Sequence, residues 1–73
     1  MMMTREEHLQ ECKRRANEYL KAYDVPNAIT SMLSDLGKHP DTKAAGESMA
    51  MLGMLYIVNR DMDGARRFID GFR

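Results

Sequence analysis

The sequence predicts an all-α protein of four helices, arranged as two helical hairpins stacked into a small bundle. Three observations lead there. Apolar residues recur at helical spacing along most of the chain, and no run alternates as a strand would. Helix-starting and helix-ending residues fall at matching intervals. A decapeptide, YLKAYDVPNA from Tyr19 to Ala28, returns as YIVNRDMDGA from Tyr56 to Ala65, 37 residues later.

The first helix is expected at about 5–22. Thr4 is a good N-cap, and Glu7 three residues on completes a capping box. Leu9, Cys12, Ala16, Leu20 and Tyr23 then fall on one stripe. Glu6, Glu7 and Glu11 come early and Lys13, Arg14, Arg15 and Lys21 late, which complements the helix dipole. Asp24 or Val25 caps the second helix, expected at about 26–36, with Pro26 in its first turn. Its stripe is Ala28, Ile29, Met32, Leu33 and Leu36. Gly37 is expected as a left-handed C-cap, and Pro40 stops continuation.

The third helix, at about 42–59, is capped by Asp41 or Thr42. From Met49 to Val58 only Gly53 interrupts an apolar run. A helix apolar on every side is expected to be buried on every side, so it is predicted to be the central helix, with Leu52, Leu55 and Tyr56 in the core. Gly46 and Gly53, seven apart on one face, would let another helix approach closely. The fourth helix, at about 62–72, starts near Asp61 and shows Met62, Ala65, Phe68, Ile69 and Phe72. The predicted core is thus Leu9, Cys12, Leu20, Ile29, Met32, Leu36, Leu52, Leu55, Tyr56, Phe68 and Ile69.

At the offset of 37, Cys12 pairs with Met49, Ala16 with Gly53, Leu20 with Ile57, Val25 with Met62 and Met32 with Ile69. Each unit reads as a long helix, a turn containing Asp, and a shorter helix opening near a small residue, Ala28 or Ala65. The period and the placement of Pro40 resemble tetratricopeptide repeats, whose period is roughly 34 residues. The signature Trp and Leu-Gly of that repeat are absent, and Tyr23 stands at its turn glycine. An ordinary four-helix bundle with similar turns is the alternative.

Composition bounds the function. The 73 residues make one small domain, and a chain of this size buries only roughly 60% of its unfolded surface. Cys12 is the single cysteine, so no internal disulfide forms, and self-association is a natural source of added stability. Lys+Arg and Asp+Glu are both 11, which argues against nucleic-acid binding. No apolar run spans a membrane, and MMMTREEH is too short and too acidic for a secretory signal. The three leading Met read as start-site ambiguity or a frayed end. The expected location is the cytoplasm. Eight methionines suit either an adaptable core or an adaptable binding surface.

His8 and Cys12 share a helix face, but a zinc site needs further ligands that only His39 and scattered carboxylates could supply. His8 is expected to be exposed in the first turn. No metal, cofactor or catalytic residue is predicted. The polar stretch SDLGKHPD, with Ser34, Asp35, Lys38, His39 and Asp41, is the candidate recognition loop. Arg66 and Arg67 are added as partner-binding candidates, because with Lys13, Arg14, Arg15 and Arg73 they would gather into a basic region if the first and last helices are neighbours.

The segments TREEHLQECKRRANEYL, AITSMLSDLGKHP and AMLGMLYIVNRDMDGARRFIDGF, covering almost the whole chain, resemble a family of small helical proteins encoded by bacteriophages. That resemblance implies a phage protein acting inside a bacterial host and supplies no chemistry. Small phage proteins are often inhibitors or modulators of host or defence proteins. The expected function is a non-catalytic protein–protein interaction module with a host or phage protein as partner. A homo-oligomeric structural or assembly component of the particle comes second, and a nucleic-acid-associated regulator third.

Overall fold

Thr4 opens the first helix as its sequence predicts. Its hydroxyl accepts from the Glu7 backbone N–H, and the Glu7 carboxylate accepts from the Thr4 N–H, both at 3.1 Å. In the computed structural model, which describes residues 4–73, four helices follow: α1 Arg5–Lys21, α2 Val25–Leu36, α3 Pro40–Asn59 and α4 Met62–Asp70. Among the described residues there is no strand, and the chain is an all-α small bundle. The three leading methionines lie outside the described residues. Among the described residues no helix is long and apolar enough to cross a membrane.

The two copies of the decapeptide make the same turn. Tyr23 and Arg60, equivalent at the offset of 37, are the two non-glycine residues with positive φ among the described residues, at 59° and 49°. In each turn the next residue's N–H reaches back five positions, Asp24 to Tyr19 O and Asp61 to Tyr56 O. Tyr23 N–H and Arg60 N–H reach back three, to Leu20 O and Ile57 O. These are paired Schellman closures, which satisfy the last carbonyls of α1 and α3. Asp24 and Asp61 then cap α2 and α4 by accepting from Asn27 N–H at 3.1 Å and Gly64 N–H at 2.9 Å. Ala28 and Ala65, the small residues that close each repeat, are both fully buried.

The core is centred on α2. Ile29, Met32 and Leu36 are fully buried, between Leu9, Cys12, Ala16 and Leu20 of α1 and Ala65, Phe68, Ile69 and Phe72 from α4 and its end. α2 packs most extensively on α1 and α3, and α4 lies against all three. The predicted central role of α3 is therefore corrected. Its buried residues are Thr42, Gly46 and Gly53, whereas Leu52 and Leu55, predicted as core, are exposed, and Tyr56 is half-buried.

The glycines give the physical reason. A Cβ at Gly53 would lie 2.9 Å from Ile29 Cγ2, and one at Gly46 would lie 3.1 Å from Leu36 Cβ. α3 thus lies on α2 through its bare backbone, an approach that a side chain at Gly53 would force apart and one at Gly46 would crowd. With the glycine face turned inward, the large side chains of α3 are left at its flanks and on its outside.

Other expectations shift at the helix ends. α3 begins at Pro40, two residues earlier than predicted, because neither Asp41 nor Thr42 is its cap. His39 is, its Nδ1 accepting from Asp41 N–H at 3.1 Å. Thr42 is buried instead and donates its hydroxyl to Leu36 O at 2.7 Å, tying the start of α3 to an orphan carbonyl at the end of α2. Gly37 is right-handed (φ −69°), not the left-handed cap expected. α4 ends at Asp70, earlier than the predicted residue 72, although Phe72 still packs into the core.

Candidate functional site

Two regions merit attention: the polar cluster singled out in the sequence, and the outer face of α3. The structure turns part of the first inward. Asp35, expected on an exposed recognition loop, is buried at 5% exposure. Lys38 Nζ lies 3.0 Å from its Oδ1 and Arg15 Nε 3.5 Å from its Oδ2. Asp35 Oδ2 is buried without a hydrogen bond, so the Arg15 ion pair supplies its compensation for lost solvation. His8, expected to be exposed, is half-buried. Its Nε2 lies 3.0 Å from Asp35 O and 3.5 Å from Cys12 Sγ. The His8 and His39 rings stack with centroids 5.0 Å apart.

These contacts pin α1 to the α2–α3 connection. They line a shallow crevice of about 400 Å³ with Cys12 at its inner wall. A thiol beside an imidazole is the arrangement of a nucleophile, but the electrostatics here oppose that role. Burial pushes the Cys12 thiol's pKa up, and the neighbouring Asp35 carboxylate pushes it further. The protonated thiol is thus favoured, and only the thiolate attacks or ligates. Among the described residues no three His, Cys, Asp or Glu side chains are grouped to hold a metal ion.

Of the remaining predicted site residues, Ser34, Lys38 and Asp41 are exposed, Lys38 at the wall of this crevice, and His39 is half-buried as the α3 cap. Arg66 and Arg67 are exposed on α4, well apart from that loop in sequence. α1 and α4 are neighbours: Lys13 Nζ donates to Asp70 O at 3.0 Å, and the Arg5 guanidinium donates to Arg73 O.

The second region is larger and apolar. Met51 is 84% exposed, Val58 74%, Leu55 58% and Met54 55%. Met49 and Leu52 continue this surface into a groove of about 420 Å³ between α3 and α4, floored by Tyr56, Phe68 and Phe72. The Tyr56 and Phe68 rings lie 5.6 Å apart, and Phe68 meets Phe72 edge-on at 5.1 Å. Arg67 and Arg73 also line the groove. Apolar residues scattered singly over a surface are ordinary, but here they are exposed together along one helix.

The sequence reading placed Leu52 and Leu55 in the core and so missed this face. The usable signal was the pair of glycines. Their shared face had to be the inner one, which puts Met51, Leu55 and Val58 on the outside. No protein-family model, curated protein or solved structure matches the chain.

Proposed function

We propose that this protein is a non-catalytic protein–protein interaction module, with the outer face of α3 and its groove with α4 as the docking surface. The observation that carries the reading is the row of exposed large apolar side chains Met51, Met54, Leu55 and Val58 on one helix of so small a domain. Methionine is well suited to such a surface, because its flexible thioether adapts to a partner's contours. The polar cluster has a structural task in this reading. Asp35, His8 and His39 hold the frame that presents α3.

The resemblance to small phage-encoded helical proteins supports a setting in the cytoplasm of a bacterial host. There the module binds a host, defence or phage protein and modulates or inhibits it. Equal numbers of acidic and basic residues favour a protein partner over a nucleic acid. The test compares capture from infected host lysate by the natural chain and by the double variant Met51→Glu/Val58→Glu, with helicity checked by circular dichroism. A partner retained by the natural chain and lost by a folded double variant is the expected result. The same partners on both overturns the assignment of the surface.

A further inference from the structure

We infer that the outer face of α3 is occupied by a second copy of this chain, whose own α3 lies antiparallel across a two-fold axis at Met51. This rests on the docking surface proposed above and names what covers that face when no other partner is bound.

The spacing of the outward residues is the first observation. Ala44, Ser48, Met51, Leu55 and Val58 are all exposed, and they follow one another at intervals of four, three, four and three. That is the seam of a heptad repeat, in which a helix meets another helix along a line. From Ala44 to Val58 the seam is about 21 Å long at 1.5 Å per residue.

The order of side-chain sizes is the second. Ala44 and Val58 lie at equal distances of seven positions on either side of Met51. The half of the seam before Met51 is small, with Ala44 and Ser48. The half after it is large, with Leu55 and Val58. An antiparallel copy centred on Met51 lays each small half against a large half. Ala44 faces Val58 of the second copy, and Ser48 faces the Met54–Leu55 step. A parallel copy would set small against small and leave a void, which close-packed interfaces avoid.

Charge is the third. The antiparallel arrangement opposes the two helix dipoles, whereas a parallel one would align them. In the Met51-centred register Arg60 lies level with Thr42 of the second copy, between Asp41 and Lys43, and Asp41 lies level with Asp61, so the side-chain charges at the helix ends favour neither direction. Flanking the seam, Glu47 and Met54 run along one side and Leu52 and Asn59 along the other, so Glu47 is the one charge there. Seams that select a different partner do so with flanking charges, and this seam carries almost none to reject its own kind. Lys43 lies beyond the seam, level with Asn59 of the second copy and one position from its Arg60. The seam is short, so the association falls in the micromolar range, with the small and transient interfaces.

The test is sedimentation equilibrium of the full chain between about 1 and 300 µM, paired with cysteine crosslinking in a Cys12→Ala background. The expected mass rises with concentration from 8.4 kDa toward twice that value. Met51→Glu, which sets two carboxylates face to face, should weaken association at least tenfold with helicity unchanged. Met51→Cys should crosslink to itself under mild oxidation. Ala44→Cys should crosslink to Val58→Cys in a mixture and not to itself. Self-crosslinking of Ala44→Cys overturns the antiparallel register. A chain that stays monomeric at 300 µM, with Met51 freely oxidised, overturns the second copy as occupant. In that case a lysate partner lost on Met51→Glu/Val58→Glu would leave the docking module standing, and a partner set unchanged by it would remove both.

Discussion

α2 and α3 are both rich in apolar residues, yet their fates are opposite. Ile29, Met32 and Leu36 of α2 are fully buried, while Met51, Leu55 and Val58 of α3 are mostly exposed. What separates them is phase. The apolar residues of α2 share one stripe, and that stripe has one way to face. Those of α3 surround the helix, so its orientation is decided by something else: two glycines that fit against Ile29, Leu33 and Leu36 where a side chain would not. A helix can be strongly apolar and still be peripheral, provided that its smallest face is the one its neighbour needs.

The largest effects should separate the two helices. Leu36→Ala or Ile29→Ala should cost about 2–5 kcal/mol, as large-to-small changes in a packed core do. Leu55→Ala should stay within about 0.5 kcal/mol, measured by denaturant titration at concentrations where the chain is monomeric. Equal losses from the two helices would mean that α3 is as central as α2.

Gly53→Val sharpens the reason for the difference. Its Cβ would meet Ile29 Cγ2 at 2.9 Å and Phe68 Cζ at 3.3 Å, so overpacking of about 1–3 kcal/mol is expected. A variant as stable as the natural chain would show that α3 does not lie on α2 through Gly53.

The turns carry the next effect. Asp24→Ala and Asp61→Ala remove equivalent caps, and each should cost about 0.5–2 kcal/mol. Thermal melts in which one cap matters and the other does not would show that the two turns, though alike in geometry, are unlike in energy.

The smallest effect concerns pH. Burial raises the Cys12 pKa, so the folded chain holds the thiol proton more tightly than the unfolded chain does. The contribution is full below the ordinary thiol range and is lost as pH rises through that range toward the higher folded value. Cys12→Ala should flatten that alkaline decline. A decline of the same depth in the variant would assign it to other groups.

Much of the fold was legible because local rules agreed with the global structure. Thr4 and Glu7 mark the start of α1, Asp24 and Pro26 that of α2, and the repeated decapeptide marks two like turns. The orientation of α3 was not legible from hydropathy, since apolar residues on every side define no face. The true cap of α3 was also hidden, because an imidazole acceptor at His39 follows no common capping preference while Asp41 and Thr42 beside it do. Asp35 gave little sign of turning inward. Its burial depends on Arg15, which is distant in sequence, as well as on Lys38 one turn away. The outer face of α3 was therefore read as core, from the same residues that now define it.

The contrast between the helices can be read in one experiment, because each carries methionine in an opposite setting. Met32 of α2 is fully buried, and Met51 of α3 is 84% exposed. Peroxide oxidation of the dilute native protein, followed position by position by mass spectrometry, compares them within one molecule. The expected result is rapid sulfoxide formation at Met51 and Met54, with Met32 protected until the chain unfolds. Comparable rates at Met32 and Met51, or protection of Met51 at every concentration down to the lowest, would contradict an α3 whose outer face is free in the monomer.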